Sequence, residues 1–371
     1  MAYSIPEDVV ERVRESSDIV EIVSEHLQLR QTGRNFKALC PFHTEKTPSF
    51  IVSPEKQIYH CFGCGAGGNV FNFLMQIESI SFPEAVRLLA QRYGIEVPKA
   101  ARATSTESSI AYKLNALAAK VYHSALLGTK EGTAARKYLR ARGIGEDIEK
   151  EFLLGYAPSD GDFLVLEARR RKVDGARLRA LGLATESEGR LRDLFRKRLI
   201  FPIASAGGRI LGFGGRVLDD GLPKYLNSPE TRLFKKADTI YGIHRSKGQI
   251  RAGGRALVVE GYMDMIPLYA SGFHNTVASL GTAFTFEQAR RLRRYCDEVI
   301  LLYDGDAAGR IAALRACDAA AASGLKVKVV SLPEGHDPDS FVREMGKEAL
   351  SSLIAGAPHY VNFVVTKGKA F

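Results

Sequence analysis

The sequence predicts a multidomain chain of α+β and α/β class: an N-terminal zinc ribbon with helices, a mixed α+β basic region, a parallel-sheet α/β unit and closing helices. Three observations predict it. Two close pairs of soft ligands, Cys40-x2-His43 and Cys61-x2-Cys64, stand 17 residues apart near the N-terminus. Two apolar runs, LIFPI and RILGFGGRVL, flank an Ala206-Gly207-Gly208 turn and read as a hairpin. From Arg255 onward apolar strands alternate with helical stretches (ALVVEG, YMDMIPLYASG, TVASLG, FEQARRLRRYC, EVILLYDGD, AAGRIAALRACDAAAASG, KVKVVSLP), the pattern of a parallel sheet covered on both faces. The expected bounds are 1–97 for the ribbon domain, 98–109 for a linker, 110–254 for the basic region, 255–340 for the α/β unit and 341–371 for the start of a helical segment.

Composition limits the function classes. The 371 residues are 45% hydrophobic and 25% charged, values of a soluble globular protein with two or three cores. No stretch approaches 18 apolar residues and the charged N-terminus is not a signal peptide, so no membrane role and a cytoplasmic location are expected. There, five cysteines are thiols or metal ligands rather than disulfides. The net charge of +10 is unevenly spread: residues 1–100 hold 10 Lys+Arg against 12 Asp+Glu, and the rest hold 42 against 30. The basic surplus suits a polyanionic partner.

In chain order, Ser4 and Glu7 form a capping box, and Val9, Val10, Val13, Ile19, Ile22 and Val23 follow at helical spacing around a break at Ser16 and Ser17. A two-residue gap lets both members of each ligand pair reach one ion. Cys40, His43, Cys61 and Cys64 therefore fill the tetrahedral shell of a single structural Zn²⁺. Gly63, Gly65, Gly67 and Gly68 supply the turn around the second pair. Basic and aromatic residues interleave here: Arg34, Phe36, Lys37, Lys46, Phe50, Lys56, Tyr59 and Phe62. They suit either a surface for single-stranded nucleic acid or, for the aromatics, the ribbon's own core. NVFNFLMQIE and a second capping box, Ser81 to Glu84, start helices that close near Tyr93-Gly94.

PKAARATSTESS, residues 98–109, lacks apolar periodicity and reads as a linker. Helical segments follow near 110–127 and 133–142. Past the hairpin comes a run of Arg216, Lys224, Tyr225, Asn227, Arg232, Lys235 and Lys236; GFGG lies inside the hairpin, which excludes a dinucleotide site. Two of the strands that follow end in acid, at Glu260 and at Asp304 and Asp306. In an open α/β sheet that edge is where ligands bind. If strand geometry continues, the two aspartates point to one side and Glu260 joins them from a neighbouring strand. At ~5 Å and an effective dielectric of ~20 each pair repels by roughly 3 kcal/mol, which a divalent cation would remove. The alternative is that Asp306 simply caps the helix it precedes. Cys296 has no ligand partner nearby and reads as a buried thiol.

EGYMD followed by YDGDAAGR resembles the Toprim domain of bacterial primases, topoisomerases and some nucleases. With CPFHTEKTPSF, YHCFGCGAGG and the run KRLIFPI, GFGGRVL, PKYLNSPET, the order of parts resembles the bacterial DnaG-type DNA primases over essentially the whole chain. That resemblance implies synthesis of short RNA primers on single-stranded DNA from ribonucleoside triphosphates, leaving an RNA–DNA hybrid. It implies Glu260, Asp304 and Asp306 as the catalytic acids, with Asp264, Asp337 and Asp339 as further ligands of Mg²⁺ or Mn²⁺. It implies Arg142, Arg198, Arg216, Lys224, Tyr225, Asn227 and Lys235 on template or nucleotide, and Arg34, Lys46, Lys56 and Phe62 on DNA from the zinc domain. A monomer is expected, with the replicative helicase met only through a C-terminal domain that this chain lacks, as in a fragment. No G-x-x-x-x-G-K-[ST] occurs, so nucleotide is substrate rather than fuel. A Toprim nuclease or topoisomerase would use the same acids for cleavage; a non-catalytic zinc-ribbon DNA-binding protein would be expected to have lost them.

Overall fold

The computed structural model describes residues 5–97, 101–281 and 283–367. It divides into two compact units, 1–110 and 111–371. In the first, the helices Glu7–Ser16 and Ile19–Ser24 precede a five-stranded antiparallel sheet of β1 (Arg30–Thr32), β2 (Asn35–Ala38), β3 (Phe50–Ser53), β4 (Ile58–Cys61) and β5 (Gly67–Gly68). The break read at Ser16 and Ser17 is present, and Asp18 caps the second helix through the amides of Val20 and Glu21. Ser4 of the first capping box lies outside the described residues; the helix starts at Glu7. The helices Val70–Ile77 and Phe82–Arg92 close the unit, and Glu84 accepts from the Ser81 amide at 2.8 Å as the second capping box requires. Phe50, Tyr59 and Phe73 are buried together, with ring centroids 5.1 to 6.1 Å apart. Strands of two to four residues give this sheet little area to bury.

Residues 98–100 lie outside the described residues, but 101–109 are not an extended linker. They are the first turns of the helix Ala101–Gly128, an extension of the better helix-forming stretch that follows rather than a product of their own Ser- and Thr-rich composition. In the second unit that helix leads to Lys130–Ala141 and Glu146–Glu151, then β6 (Gly155–Ala157), the helices Phe163–Arg170 and Gly175–Ala180, and the hairpin β7 (Ala184–Ser187) and β8 (Arg190–Asp193). Next come β9 (Arg198–Ala204), β10 (Ile210–Val217) and β11 (Tyr225–Asn227). They form an antiparallel sheet ordered β11-β10-β9-β6, with the expected hairpin at its centre.

The parallel sheet follows: β12 (Arg255–Val259), β13 (Thr276–Ala278), β14 (Glu298–Tyr303) and β15 (Lys326–Ser331), in the order β13-β12-β14-β15. Side chains alternate between two cores. Leu257, Val259, Ile300 and Leu302 pack toward Leu199, Phe201 and Ile203 of β9 and the helices Tyr262–Ala270 and Pro338–Ala355. Ala256, Val258, Val299 and Leu301 pack toward the helices Ile243–Gly253, Phe286–Leu292 and Ala307–Ala322. With both faces covered, only the ends of the strands remain for chemistry. No helix among the described residues is long and apolar enough to cross a membrane.

Candidate functional site

In the first unit Cys40, His43, Cys61 and Cys64 bring one ligand atom each to within 4.8 Å of one another. Sγ of Cys40 lies 3.8 Å from Sγ of Cys64, and Sγ of Cys61 3.7 Å from Nδ1 of His43. A tetrahedral zinc with ~2.3 Å bonds to sulfur and ~2.0 Å to nitrogen separates its ligands by about 3.5 to 3.8 Å. The quartet therefore fits the ion. Cys61 ends β4, and the chain doubles back at Gly63, where a Cβ would stand 2.5 Å from Nε2 of His43. Only glycine fits there.

Sequence reasoning missed Glu45. Its carboxylate accepts from the Cys40 amide at 2.8 Å and the Ser49 amide at 3.0 Å and lies 3.3 Å from His43 Nε2. Hydrogen bonds, the Ser49 hydroxyl foremost, hold it below the usual glutamate range. A carboxylate behind a ligating imidazole fixes the ring's tautomer and orientation. Nothing in the spacing of the ligand pairs signals it.

The interleaved basic and aromatic residues of the ribbon divide. Phe50 and Tyr59 are core, whereas Arg34, Lys46 and Lys56 are exposed and Phe62 is 72% exposed beside the His60 ring.

In the second unit the register of β12 with β14 pairs Val258 with Leu301, which carries Glu260 to the level of Tyr303 and brings it beside Asp304. Asp304 begins the turn after β14. Strand geometry does not continue to Asp306, however: that residue is the N-cap of Ala307–Ala322 and accepts from the Gly309 amide at 2.7 Å. Asp306 thus caps its helix and also contributes its charge to Glu260 and Asp304. Asp264 likewise accepts from the Gly261 amide at 3.0 Å at the start of Tyr262–Ala270, and Asp337 from the Ser340 amide at 2.6 Å at the start of Pro338–Ala355. Three helix N-termini, with their partial positive charge, thus lie at the acids, Asp306 and Asp337 as N-caps and Asp264 in the first turn.

The acids feel one another. Burial first, then the charge of Asp304, pushes Glu260 up to about 7, and its Oε1 is buried without a hydrogen-bond partner. Burial, Asp337 and Asp306 push Asp304 up to about 6, while Lys224 opposes them. Asp264 is raised as well, by burial and then by Asp304 and Asp337. Crowded carboxyls with an orphan oxygen are a donor set that a hard divalent cation fits. The zinc quartet is the only group of three or more such ligands drawn this closely together among the described residues; the acids stand further apart. A looser acidic set suits Mg²⁺, which keeps water and phosphate oxygens in its coordination sphere.

Several residues expected on phosphates or metal are engaged within the protein. Asp339 is 1% exposed and bonded to Arg142 and to Nε of Arg343 at 2.9 Å, so it has no side open to an ion. Arg142 is correspondingly half of an ion pair. Arg198 is buried and donates to the Pro223 carbonyl at 2.9 Å, with Gly215 and Lys224 at its reach, fixing the loop before β11. Asn227 spends both ends of its amide, donating to Leu280 O at 3.1 Å and accepting from the Tyr262 hydroxyl at 2.6 Å. A basic or amide residue in a basic run has the same sequence signature whether it meets solvent or a buried carbonyl. Lys224 and Lys235 are exposed, and Arg216 and Tyr225 are joined by a 2.7 Å hydrogen bond.

Comparison with known proteins agrees with the order of these parts. Residues 5–105 match the CHC2 zinc finger family, 122–247 the N-terminal domain of the DNA primase catalytic core, and 257–342 the Toprim-like family. A DNA primase of Halalkalibacterium halodurans is 43% identical over 361 residues, 96% of this chain; the chain spans 60% of that relative's length. The crystal structure of the Aquifex aeolicus primase, comprising zinc-binding and RNA polymerase domains, superposes with a TM-score of 0.66 at 39% identity, covering 97% of this chain and 88% of that one. A DnaG primase catalytic domain bound to single-stranded DNA gives 0.65 at 36% identity, covering 71% of this chain and 86% of that one.

Proposed function

The chain belongs to the DnaG-type DNA primase family, and from that premise we propose that it synthesises short RNA primers on single-stranded DNA. The observation that carries the proposal is the convergence of Glu260, Asp304 and Asp306 at the C-terminal edge of the parallel sheet, with Glu260 Oε1 left unpartnered. Bound there, Mg²⁺ or Mn²⁺ would lower the pKa of an attacking hydroxyl and neutralise charge on the triphosphate. Asp304 and Asp306 are its foremost protein ligands in this reading, with Glu260 as a further ligand or proton acceptor and Asp264 and Asp337 behind them. Asp339 is assigned instead to anchoring Arg142.

Arg216, Lys224 and Lys235 hold phosphates of template or incoming nucleotide, contacts that give affinity without reading sequence. Tyr225 borders the same ground. On the ribbon, exposed Arg34, Lys46, Lys56 and Phe62 suit a single strand, the cations along its backbone and the ring under a base. The ribbon's zinc has a structural role, since four protein ligands leave no open position.

The test is incorporation of labelled ribonucleotides on single-stranded DNA without a primer, in Mg²⁺ or Mn²⁺, by the parent and by Glu260→Gln. Short RNA that disappears in the variant is the expected result. Cleavage of the template without RNA would replace the proposal with a nuclease, and binding without either reaction would reduce it to a DNA-binding role.

A further inference from the structure

We propose that Tyr138 is a positioning residue that seats Arg142 and Arg216 for phosphate groups, an inference that rests on the nucleic-acid reading above. Tyr138 lies on the helix Lys130–Ala141, four residues before Arg142 and on the same face. The centre of its ring is 5.0 Å from the Arg142 guanidinium carbon and 5.3 Å from that of Arg216. Arg216 stands at the same 5.3 Å from the Tyr225 ring and donates to that residue's hydroxyl. The four side chains therefore form a ladder in the order Arg142, Tyr138, Arg216, Tyr225. Both ends adjoin the acidic centre: Arg142 is bonded to Asp339, whose carboxyl feels Asp337, and Tyr225 feels Asp264.

The two arginines are held differently. Arg142 has Asp339 as a counter-charge. Among the described residues no carboxylate pairs with Arg216, and its Nε is buried without a hydrogen-bond partner. Two ring faces and one phenol oxygen hold this guanidinium, so its charge remains for an anion while its place is set by π contacts. The Tyr138 hydroxyl is itself buried and unpartnered. The ring, and not the hydroxyl, is the working part of the residue. A guanidinium seated in advance loses less freedom when it meets a phosphate.

The phosphates served are those of the template backbone or of the incoming triphosphate, and two readouts separate them. Single-stranded DNA affinity is measured against salt concentration, and the ribonucleotide KM and kcat are measured in primer synthesis, for the parent, Tyr138→Phe, Tyr138→Leu and the volume-preserving Tyr138→Met. The Leu and Met variants are expected to weaken DNA binding or raise KM by about 5- to 10-fold, with kcat within about twofold. Where DNA is the ligand, the slope against log salt becomes shallower. Tyr138→Phe restores the parent values. In an Arg216→Gln background the Leu substitution adds less than half of its original effect, because the ring then has one guanidinium fewer to seat. Parent-like affinity and KM in both apolar variants, or a full additional loss in the Arg216→Gln background, would overturn the inference. A parent that binds DNA but makes no RNA would defeat the primase reading instead, and the DNA-binding arm would still decide the role of Tyr138.

Discussion

The zinc quartet and the acidic centre proposed to hold a cation are built on opposite plans. Around the quartet the outer partners are in place: Glu45 stands behind His43, and the amides of Phe42, Gly63 and Cys64 lie 3.3 to 3.5 Å from thiol sulfurs. At the acidic centre the carboxyls are raised by burial and by one another, and one oxygen has no partner at all. A closed shell beside a small core is a fold constraint; an under-neutralised set at the end of the parallel sheet is what the proposed cation and substrate would complete. The comparison teaches that ligand identity alone does not tell holding from acting. The state of the outer partners does.

The comparison breaks first, and most severely, if the quartet proves dispensable. Cys61→Ser should cost the first unit its fold, since structural zinc contributes on the order of 10 kcal/mol in small metal-dependent domains. Zinc retained after dialysis, or unchanged protease resistance of residues 5–97, would contradict the assignment. Next in size, Asp304→Asn should lower primer synthesis by at least about 10³-fold, through lost stabilisation of transition-state charge, while melting and DNA binding stay near the parent's. Undiminished synthesis would remove Asp304 from the centre. Glu45→Gln should weaken zinc by about 10- to 100-fold without unfolding the unit at saturating metal, as measured by competition with a chelator. An unaltered zinc affinity would make Glu45 a loop residue only.

The smallest effect contrasts the units by pH. His244, in the second unit, is held down to about 4 by burial and by the neighbouring Arg245 and Lys247. Its folded pKa is below the unfolded value, so acid favours the unfolded chain, which takes up a proton between pH ~6.5 and ~4. Stability should fall across that window by about 2 kcal/mol at pH 5. Calorimetry of the parent and His244→Gln checks this; an equally steep decline in the variant would shift the effect to other groups.

Much of this was legible before any coordinates. Metal pairs are written locally, because a two-residue gap fixes what one turn can reach, so Cys40, His43, Cys61 and Cys64 were readable as a set. The parallel strands were readable because burial on both faces forces near-continuous apolar runs, and the acids that end them followed. What could not be read depended on distant partners or on competing local preferences. Asp339 and Arg142 are 197 residues apart, and neither segment carries a mark of the other. Arg198 resembles any arginine at the start of a strand until the carbonyl of Pro223 is seen beside it. Residues 101–109 lack an apolar stripe and are rich in Ser and Thr, so nothing local marks them as the start of the helix that runs on to Gly128. Glu45 and Tyr138 were missed for a related reason: each acts on a residue that does have a signature and has none itself.

The three aspartates at the helix N-termini of the acidic centre, Asp306 and Asp337 as N-caps and Asp264 in the first turn, have a consequence for how this family can change. Asp264, Asp306 and Asp337 each hold a backbone amide as well as facing the cluster. At the N-caps Asp306 and Asp337 asparagine serves about as well as aspartate, whereas alanine does not; at Asp264 an amide oxygen can still accept from Gly261, which a methyl cannot. Loss of charge and loss of shape are therefore separable at these positions: a drift to asparagine would leave a sound but silent protein, and a drift to alanine would loosen three helices along with the chemistry. Inactive descendants should carry the former.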